Sequence, residues 1–308
     1  MTYYTPLRYP GGKAKLGQFI RLILNTNDLQ DSEYIEPYAG GAGIGFELLM
    51  LEYAKHIHLN DLDKAVFSFW DAVLNHTDAL CKMISDTPVV ISQWHKQREI
   101  QRNPEGHTSL ELGFSLFFLN RTNRSGILNG GVIGGLDQTG EWKIDARYNK
   151  KELTSRIKKI ASYRDRISIC NMDAAQFIRK KIARLPKQCL VYLDPPYYMK
   201  GNRLYRNHYK HEDHAKIAEL IRSQIEQYWI VSYDNTPEIN ALYRGCRKAT
   251  YGLNYSANKA YVGSEVMFFS DRLLIGKDSL DELRGISPRP IPARLKKQGG
   301  RLPAVQKQ

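Results

Sequence analysis

Leu190-Val191-Tyr192-Leu193-Asp194-Pro195-Pro196-Tyr197 is the stretch whose reading decides the fold of this chain. Four apolar residues read as a buried strand that ends abruptly in Asp-Pro-Pro-Tyr. Neither proline offers a ladder N–H, and both have a fixed φ, so neither Pro195 nor Pro196 can continue a central strand. The chain must leave the sheet edge there in a stiff turn. That turn presents the Asp194 carboxylate, the Pro195 carbonyl and the Tyr197 ring. Such a set suits a flat ring carrying an exocyclic amine, with the two oxygens accepting from N–H and the tyrosine stacking on the face. The same four residues also serve a plain tight turn after a core strand, so the neighbouring segments must decide.

Working outward, strands alternate with helices on both sides. Residues 167–169 (Ile-Ser-Ile) read as a strand, followed by Asn171-Met172-Asp173 and a helix starting at Ala174. Residues 229–233 read as the next strand, ending in Asp234-Asn235. Toward the N-terminus, Tyr34-Ile35 leads into Glu36-Pro37-Tyr38-Ala39-Gly40-Gly41-Ala42-Gly43, and residues 44–53 read as helix. Strand, glycine loop and helix make a nucleotide-binding first βα turn, where glycine lets backbone approach a ligand closely. The spacing does not match the dinucleotide fingerprint, and no lysine-serine pair follows, so phosphate cradling is not indicated. Ile57-His58-Leu59-Asn60-Asp61 then ends a second strand in an acid, about twenty residues after the loop, where it can bind ribose hydroxyls. Lys13 stands near the start of a helix whose apolar face is Leu16, Phe19, Ile20, Ile23 and Leu24. A cation there opposes the helix dipole, which implies an anion for Lys13 to bind. Together these features favour nucleoside binding over a set of plain turns.

Residues 64–166 lack a parallel-strand rhythm and read as a helical insertion into the sheet domain, which would occupy 1–63 and 167–277. Within it, an apolar run to Leu119 meets Asn120-Arg121-Thr122-Asn123-Arg124-Ser125-Gly126 and then a glycine-rich loop. Arginine and asparagine on such a loop can reach phosphates and base edges, and Arg147, Lys150, Lys151, Arg156, Lys158 and Lys159 add cations nearby. Val266–Phe269 and Leu273–Ile275 read as a closing antiparallel hairpin around Ser270-Asp271. Residues 278–308 read as a basic, disordered tail, acid-free after Glu282. His208, His211 and His214 recur at every third position, but Glu212 and Asp213 read as first-turn acids of a helix, and no metal site is expected.

The 308 residues have 42% hydrophobic and 25% charged side chains, enough for a full core. The net charge of +13 favours a polyanionic partner. No apolar run spans a membrane, and the N-terminus lacks the apolar centre of a signal peptide. Cys81, Cys170, Cys189 and Cys246 have no metal spacing and read as reduced thiols of a cytosolic protein.

In their order along the chain, Arg8-Tyr9-Pro10-Gly11-Gly12-Lys13, residues 36–43, Asn60-Asp61, Phe118-Leu119-Asn120-Arg121, Asp173 and Asp194-Pro195-Pro196-Tyr197 resemble the Dam-like class of DNA adenine-N6 methyltransferases. The resemblance covers residues 5–275. It implies an α/β fold: a Rossmann-like methyltransferase sheet, mostly parallel, with a C-terminal antiparallel hairpin and a helical target-recognition insertion. It implies S-adenosylmethionine as cofactor, with Tyr9, Lys13, Glu36, Pro37, Tyr38, Ala39, Gly40, Gly41 and Gly43 around the methionine part. Asp61 would take the ribose, Asp173 the adenine amine of the cofactor, and Asp194 would border both substrates. Asp194, Pro195, Pro196 and Tyr197 would be catalytic, and Asn120, Arg121, Asn123 and Arg124 would read DNA. The implied partner is double-stranded DNA, with a cognate restriction endonuclease as a further partner and a monomer or weak dimer as the working state, in a bacterial or phage cytoplasmic setting. The residues after the Asn-Arg pair differ from those of GATC-methylating members, so the target sequence stays open. RNA adenine or cytosine-N4 methylation, a dinucleotide-dependent oxidoreductase and an inactive DNA-binding relative are the alternatives; the glycine spacing opposes the oxidoreductase, and the acids at 61, 173 and 194 oppose the inactive relative.

Overall fold

In the computed structural model, residues 4–8, 13–199, 209–255 and 261–286 are described. The strands are β1 (Ser32–Glu36), β2 (Ala54–Asn60), β3 (Ile167–Cys170), β4 (Cys189–Leu193), β5 (Tyr228–Asp234), β6 (Arg247–Tyr255) and β7 (Tyr261–Phe269). They form one sheet in the order β3-β2-β1-β4-β5-β7-β6. β1 to β5 are parallel, and β7 runs antiparallel between β5 and β6. Strand order reverses between β1 and β4, so a crevice opens beyond their carboxyl ends.

The β4 sequence shows why the sheet is covered on both sides. Leu190 and Tyr192 belong to one buried cluster, and Cys189, Val191 and Leu193 to the other. A strand with side chains of period two that is apolar at every position needs helices on both faces. On one face lie α1 (Gly17–Thr26), α2 (Gly43–Met50), α3 (Lys64–Asn75), α4 (Thr77–Asp86), α5 (Ile91–Arg102), α6 (Ser109–Thr122) and α7 (Lys150–Ala161). On the other lie α8 (Ala174–Lys180), α9 (His211–Gln224) and α10 (Pro237–Leu242).

Residues 64–166 are largely helical, but their apolar side chains are continuous with the sheet: Phe69 and Trp70 of α3 share one buried cluster with Ile57 of β2 and Phe117 of α6. Local signals mark the helix starts. Asp63 accepts from the Ala65 N–H at 2.8 Å, and Thr108 with Glu111 forms a capping box at α6.

Two expectations at the C-terminal end are corrected. The hairpin is made by β6 and β7, and Leu273–Ile275 is not a strand. Leu273 is buried but Leu274 is exposed, and the Asn27 side chain takes both backbone groups of Leu274, at 2.7 and 2.8 Å, in place of a neighbouring strand. The Arg247 guanidinium, which donates to the carbonyls of Ser270, Asp271 and Leu273, holds the same segment. The stretch read as the start of a disordered tail is a helix, α11 (Lys277–Ile286), packed on α1 and β6 with Leu283 only 1% exposed. One apolar face is enough to dock it, despite its charge. Residues 287–308 lie outside the described residues.

Candidate active site

Each of the five parallel strands ends in or just before an acid. Glu36 ends β1, Asp61 follows β2, Asp173 follows β3, Asp194 follows β4 and Asp234 ends β5. A parallel register brings these acids to one edge.

Asp194 stands at the crevice, its side chain 24% exposed. The Ser232 hydroxyl of β5 donates to its Oδ1 at 2.8 Å, and Ser232 in turn shares a 2.9 Å bond with the Tyr192 hydroxyl. Lys13 Nζ lies 3.5 Å from the same Oδ1. Burial pushes the Asp194 carboxyl above its ordinary range, with Lys13 and Ser232 pulling against it. One carboxylate oxygen is therefore fixed from behind, an arrangement that leaves the other for hydrogen bonds at the crevice.

Lys13 is buried and has a second anion, Glu265 Oε2, at 2.7 Å. Glu265 sits on β7 opposite Asp234 of β5 and is fully buried. Burial works against the Lys13 ammonium, but Asp194, Tyr251, Tyr197 and Glu265 outweigh it and hold the charge on. The expected anion for Lys13 thus exists inside the protein. Sequence reading missed Glu265. The signal was present: Tyr261-Val262-Gly263-Ser264-Glu265-Val266-Met267 places one acid within a strand that is otherwise uncharged, and a buried acid needs a partner.

Tyr197, expected as a stacking platform, is 2% exposed. Its hydroxyl accepts from Lys13 Nζ at 3.3 Å, and Nζ stands 5.3 Å from the ring centroid. Pro195 is buried and Pro196 half-buried. The chain after them is clamped by a residue that sequence reading marked only as a strand end: Asp234 accepts from the N–H groups of Tyr198 and Met199 at 2.8 and 2.9 Å.

The glycine loop is held from three sides. Asp61 Oδ2 accepts from Gly40 N–H at 2.9 Å and Oδ1 from Asp63 N–H at 2.9 Å. The Trp70 indole donates to the Gly40 carbonyl at 2.9 Å. Asn60 bridges loops after two strands, donating to the carbonyls of Pro37 and Met172 at 3.0 Å each, and its own carbonyl accepts from Ala39 N–H. Gly40 has φ +46°, left-handed backbone that glycine adopts without a Cβ penalty. Gly41 is buried, and Gly43 is the first residue of α2. Glu36 points beneath the loop, its Oε1 accepting from Gly45 N–H at 3.0 Å. Burial pushes Glu36 up to about 8 and Asp61 up to about 7. Tyr38 meets the Tyr209 hydroxyl at 3.1 Å. Asp173 caps α8, accepting from Ala175 and Gln176 N–H through Oδ1. Tyr9 lies outside the described residues.

The four residues expected to read DNA divide. Asn120 is 3% exposed; its amide grips both backbone groups of Arg8 at 2.7 Å and donates to the Gly126 carbonyl. Asn123 is fully buried; it accepts from the Trp94 indole at 2.6 Å and donates to the carbonyls of Ile127 and Leu128. Both asparagines brace the protein's own backbone in this structure, Asn120 from within α6 and Asn123 from the residue that follows it. Gly126, with φ +74°, belongs to this brace, because a Cβ there would meet the Arg8 carbonyl at 2.4 Å. Arg121 is half-buried and donates to the Arg147 carbonyl at 2.7 Å. Burial, with Arg8, Arg156 and Arg147 nearby, lowers Arg121 to about 10. Arg124 alone of the four is exposed.

Among the described residues, no group of His, Cys, Asp and Glu could hold a metal ion. His211 and His214 lie on α9; His214 is buried among Tyr198, Tyr209 and Tyr233, and burial lowers it to about 4. No helix of the described residues is long and apolar enough to cross a membrane.

A doubly covered sheet with its seventh strand antiparallel between the fifth and sixth, and acids at the strand ends, defines a Rossmann-like methyltransferase fold. Residues 9–255 match the model of the D12 class N6 adenine-specific DNA methyltransferase family, and the chain belongs to that family. No curated protein matches it significantly. Solved structures similar to it include a putative RNA methyltransferase, PH1948, from Pyrococcus horikoshii, with 11% identity, 86% of this chain and 85% of that chain covered, and TM-score 0.42. The rRNA methyltransferase aviRa from Streptomyces viridochromogenes has 14% identity, 89% and 88% coverage and TM-score 0.39. TrmK from M. capricolum, in complex with S-adenosyl-homocysteine, has 5% identity, 82% and 69% coverage and TM-score 0.35.

Proposed function

We propose that this methyltransferase moves a methyl group from S-adenosylmethionine to N6 of an adenine flipped out of double-stranded DNA, at a specific sequence. The observation that carries the reading is Asp194, held from one side by Ser232 and Lys13 at the switch-point crevice. The N6 lone pair is delocalised into the base. Hydrogen bonds from the amine to Asp194 and to the Pro195 carbonyl favour a tetrahedral nitrogen whose lone pair is free to attack. Catalysis is then positioning and electrostatics, with no covalent enzyme intermediate. Tyr197 is assigned first to holding Lys13; stacking on the base by the same ring requires the residues covering it to shift.

The residues around the glycine loop fit S-adenosylmethionine. The donor supplies an electrophilic methyl on a sulfonium. Acids fit its cationic groups and its hydroxyls, and Asp61, with its carboxyl pushed up to about 7, gains from any hydroxyl that donates to it. Asp173 retains an uncapped oxygen for an amine. Residues 64–166 are assigned to target recognition, with Arg124 the exposed reader; Arg147 is also exposed, and half-buried Arg121 donates to its carbonyl. Cytoplasmic location and a cognate endonuclease stay part of the same proposal. Methyl transfer from tritiated S-adenosylmethionine to unmethylated duplex DNA, to RNA and to cytosine-only DNA tests the reading. Label in adenine of the duplex is the expected result; label confined to RNA or cytosine would overturn it.

A further inference from the structure

We infer that Glu265 is a positioning residue whose task is to hold the Lys13 ammonium away from Asp194, so that Asp194 stays a strong acceptor for the amine of the substrate. The inference deepens the adenine-methylation reading and rests on it.

Three charged groups meet here, two carboxylates and one ammonium, on three separate elements. Glu265 reaches Lys13 from β7 at 2.7 Å, while Asp194 after β4 is 3.5 Å from the same nitrogen. Glu265 and Lys13 are buried, so neither is screened by water. The shorter contact falls to the carboxylate that does not face the crevice. A lysine given only Asp194 would close on it, and its three donors would satisfy both carboxylate oxygens. The substrate amine would then compete for an acceptor already neutralised. With Glu265 present the ammonium is shared, and Asp194 is oriented by Ser232 at 2.8 Å instead. The Tyr197 hydroxyl, 3.3 Å from Nζ, occupies a further donor of the lysine. Glu265 is fully buried, hydrogen-bonds Tyr197 as well, and acts on Asp194 through Lys13.

The ionisable groups facing Asp194 are Lys13, Tyr34 and Glu36 of β1, Tyr192 of β4, Tyr197, Tyr251 of β6 and Glu265 of β7. Of these, Lys13 is the cation, so its distance sets how strongly Asp194 is held ionised against the effect of burial.

The test compares wild type, Glu265→Gln, Lys13→Gln and the double variant, each with kcat and KM for S-adenosylmethionine followed from about pH 5 to about pH 9. For Glu265→Gln the expected kcat is at least about tenfold lower with KM within about threefold. Its acid limb moves to lower pH, because the released Lys13 pairs with Asp194 alone and holds it ionised. In the Lys13→Gln background, replacing Glu265 has no further effect on kcat. An equal fall of kcat in both backgrounds, or an acid limb that stays in place for Glu265→Gln, overturns the inference. Should Glu265→Gln fail to fold, the double variant lacks the buried ammonium that has lost its nearer carboxylate; its failure to fold as well overturns a role exerted through Lys13. The unfolding free energies of the same proteins need no methyl transfer, and no coupling between positions 13 and 265 would overturn the inference even with an inactive wild type. An inactive wild type whose two positions are coupled counts against adenine methylation alone.

Discussion

At the carboxyl edge of the sheet, acids accept from the protein through one oxygen: Asp194 is braced at Oδ1 by Ser232 and Lys13, and Asp173 at Oδ1 by Ala175 and Gln176. In the loop after α6, asparagines do the opposite. Asn120 and Asn123 spend their amides on Arg8, Gly126, Trp94, Ile127 and Leu128. Cations beside the loop are backed by carbonyl oxygens, as where Arg121 of α6 donates to the Arg147 carbonyl and Arg8 to the Asn123 carbonyl. A carbonyl holds a guanidinium in place without cancelling its charge. The contrast teaches that one motif-bearing region leaves carboxylate oxygens unspent, while the other spends its side-chain amides on the protein's own backbone and on Trp94.

Four experiments break or sharpen that contrast. The largest effect is expected at the acid edge. Asp194→Ala should lower methyl transfer at least about a thousandfold while leaving cofactor affinity within about tenfold, since the carboxylate acts mainly in the transition state. Turnover surviving in a clean preparation would remove Asp194 from the mechanism.

In the loop, Asn123→Ala should cost about 2–4 kcal/mol of stability, as it orphans the Trp94 indole and two carbonyls. Urea unfolding measures the loss. Methylation profiling of whatever folded enzyme remains should give an unchanged target sequence; a changed one would return Asn123 to the reading surface.

Asp61→Ala should weaken S-adenosylmethionine binding by about 1.5–3 kcal/mol, read by calorimetry. The wild type adds a pH signature. A hydroxyl donated to Asp61 favours the ionised form, so binding lowers a carboxyl that otherwise titrates at about 7. Protons are released on binding, and affinity falls by up to about tenfold per pH unit below that value. A flat profile between pH 5 and pH 8, with intact binding, would take Asp61 out of the site.

The smallest effects separate two basic elements. Arg124→Ala should leave the melting temperature unchanged and cost about 1–3 kcal/mol of discrimination at one base pair. Deleting residues 287–308 should weaken DNA binding evenly across sequences and flatten its salt dependence. If the deletion alters the methylated sequence and Arg124→Ala does not, the two roles are exchanged.

The chain by itself determined the strand-ending acids and the glycine loop. Apolar runs such as 190–193 have one stable solution, a strand buried on both faces, and a proline pair fixes where it stops. What stands next in the sequence is then carried to the sheet edge whatever the remainder does. Tertiary structure decided which polar groups face each other. Glu265 and Lys13 are 252 positions apart and meet because β7 inserts between β5 and β6. Asn120 reaches Arg8 across 112 positions, and residues 273–275 are not a strand because Asn27 takes both backbone groups of Leu274. Side-chain direction in a loop, and the partner of a buried charge, depend on neighbours remote in the chain; local pattern encodes neither.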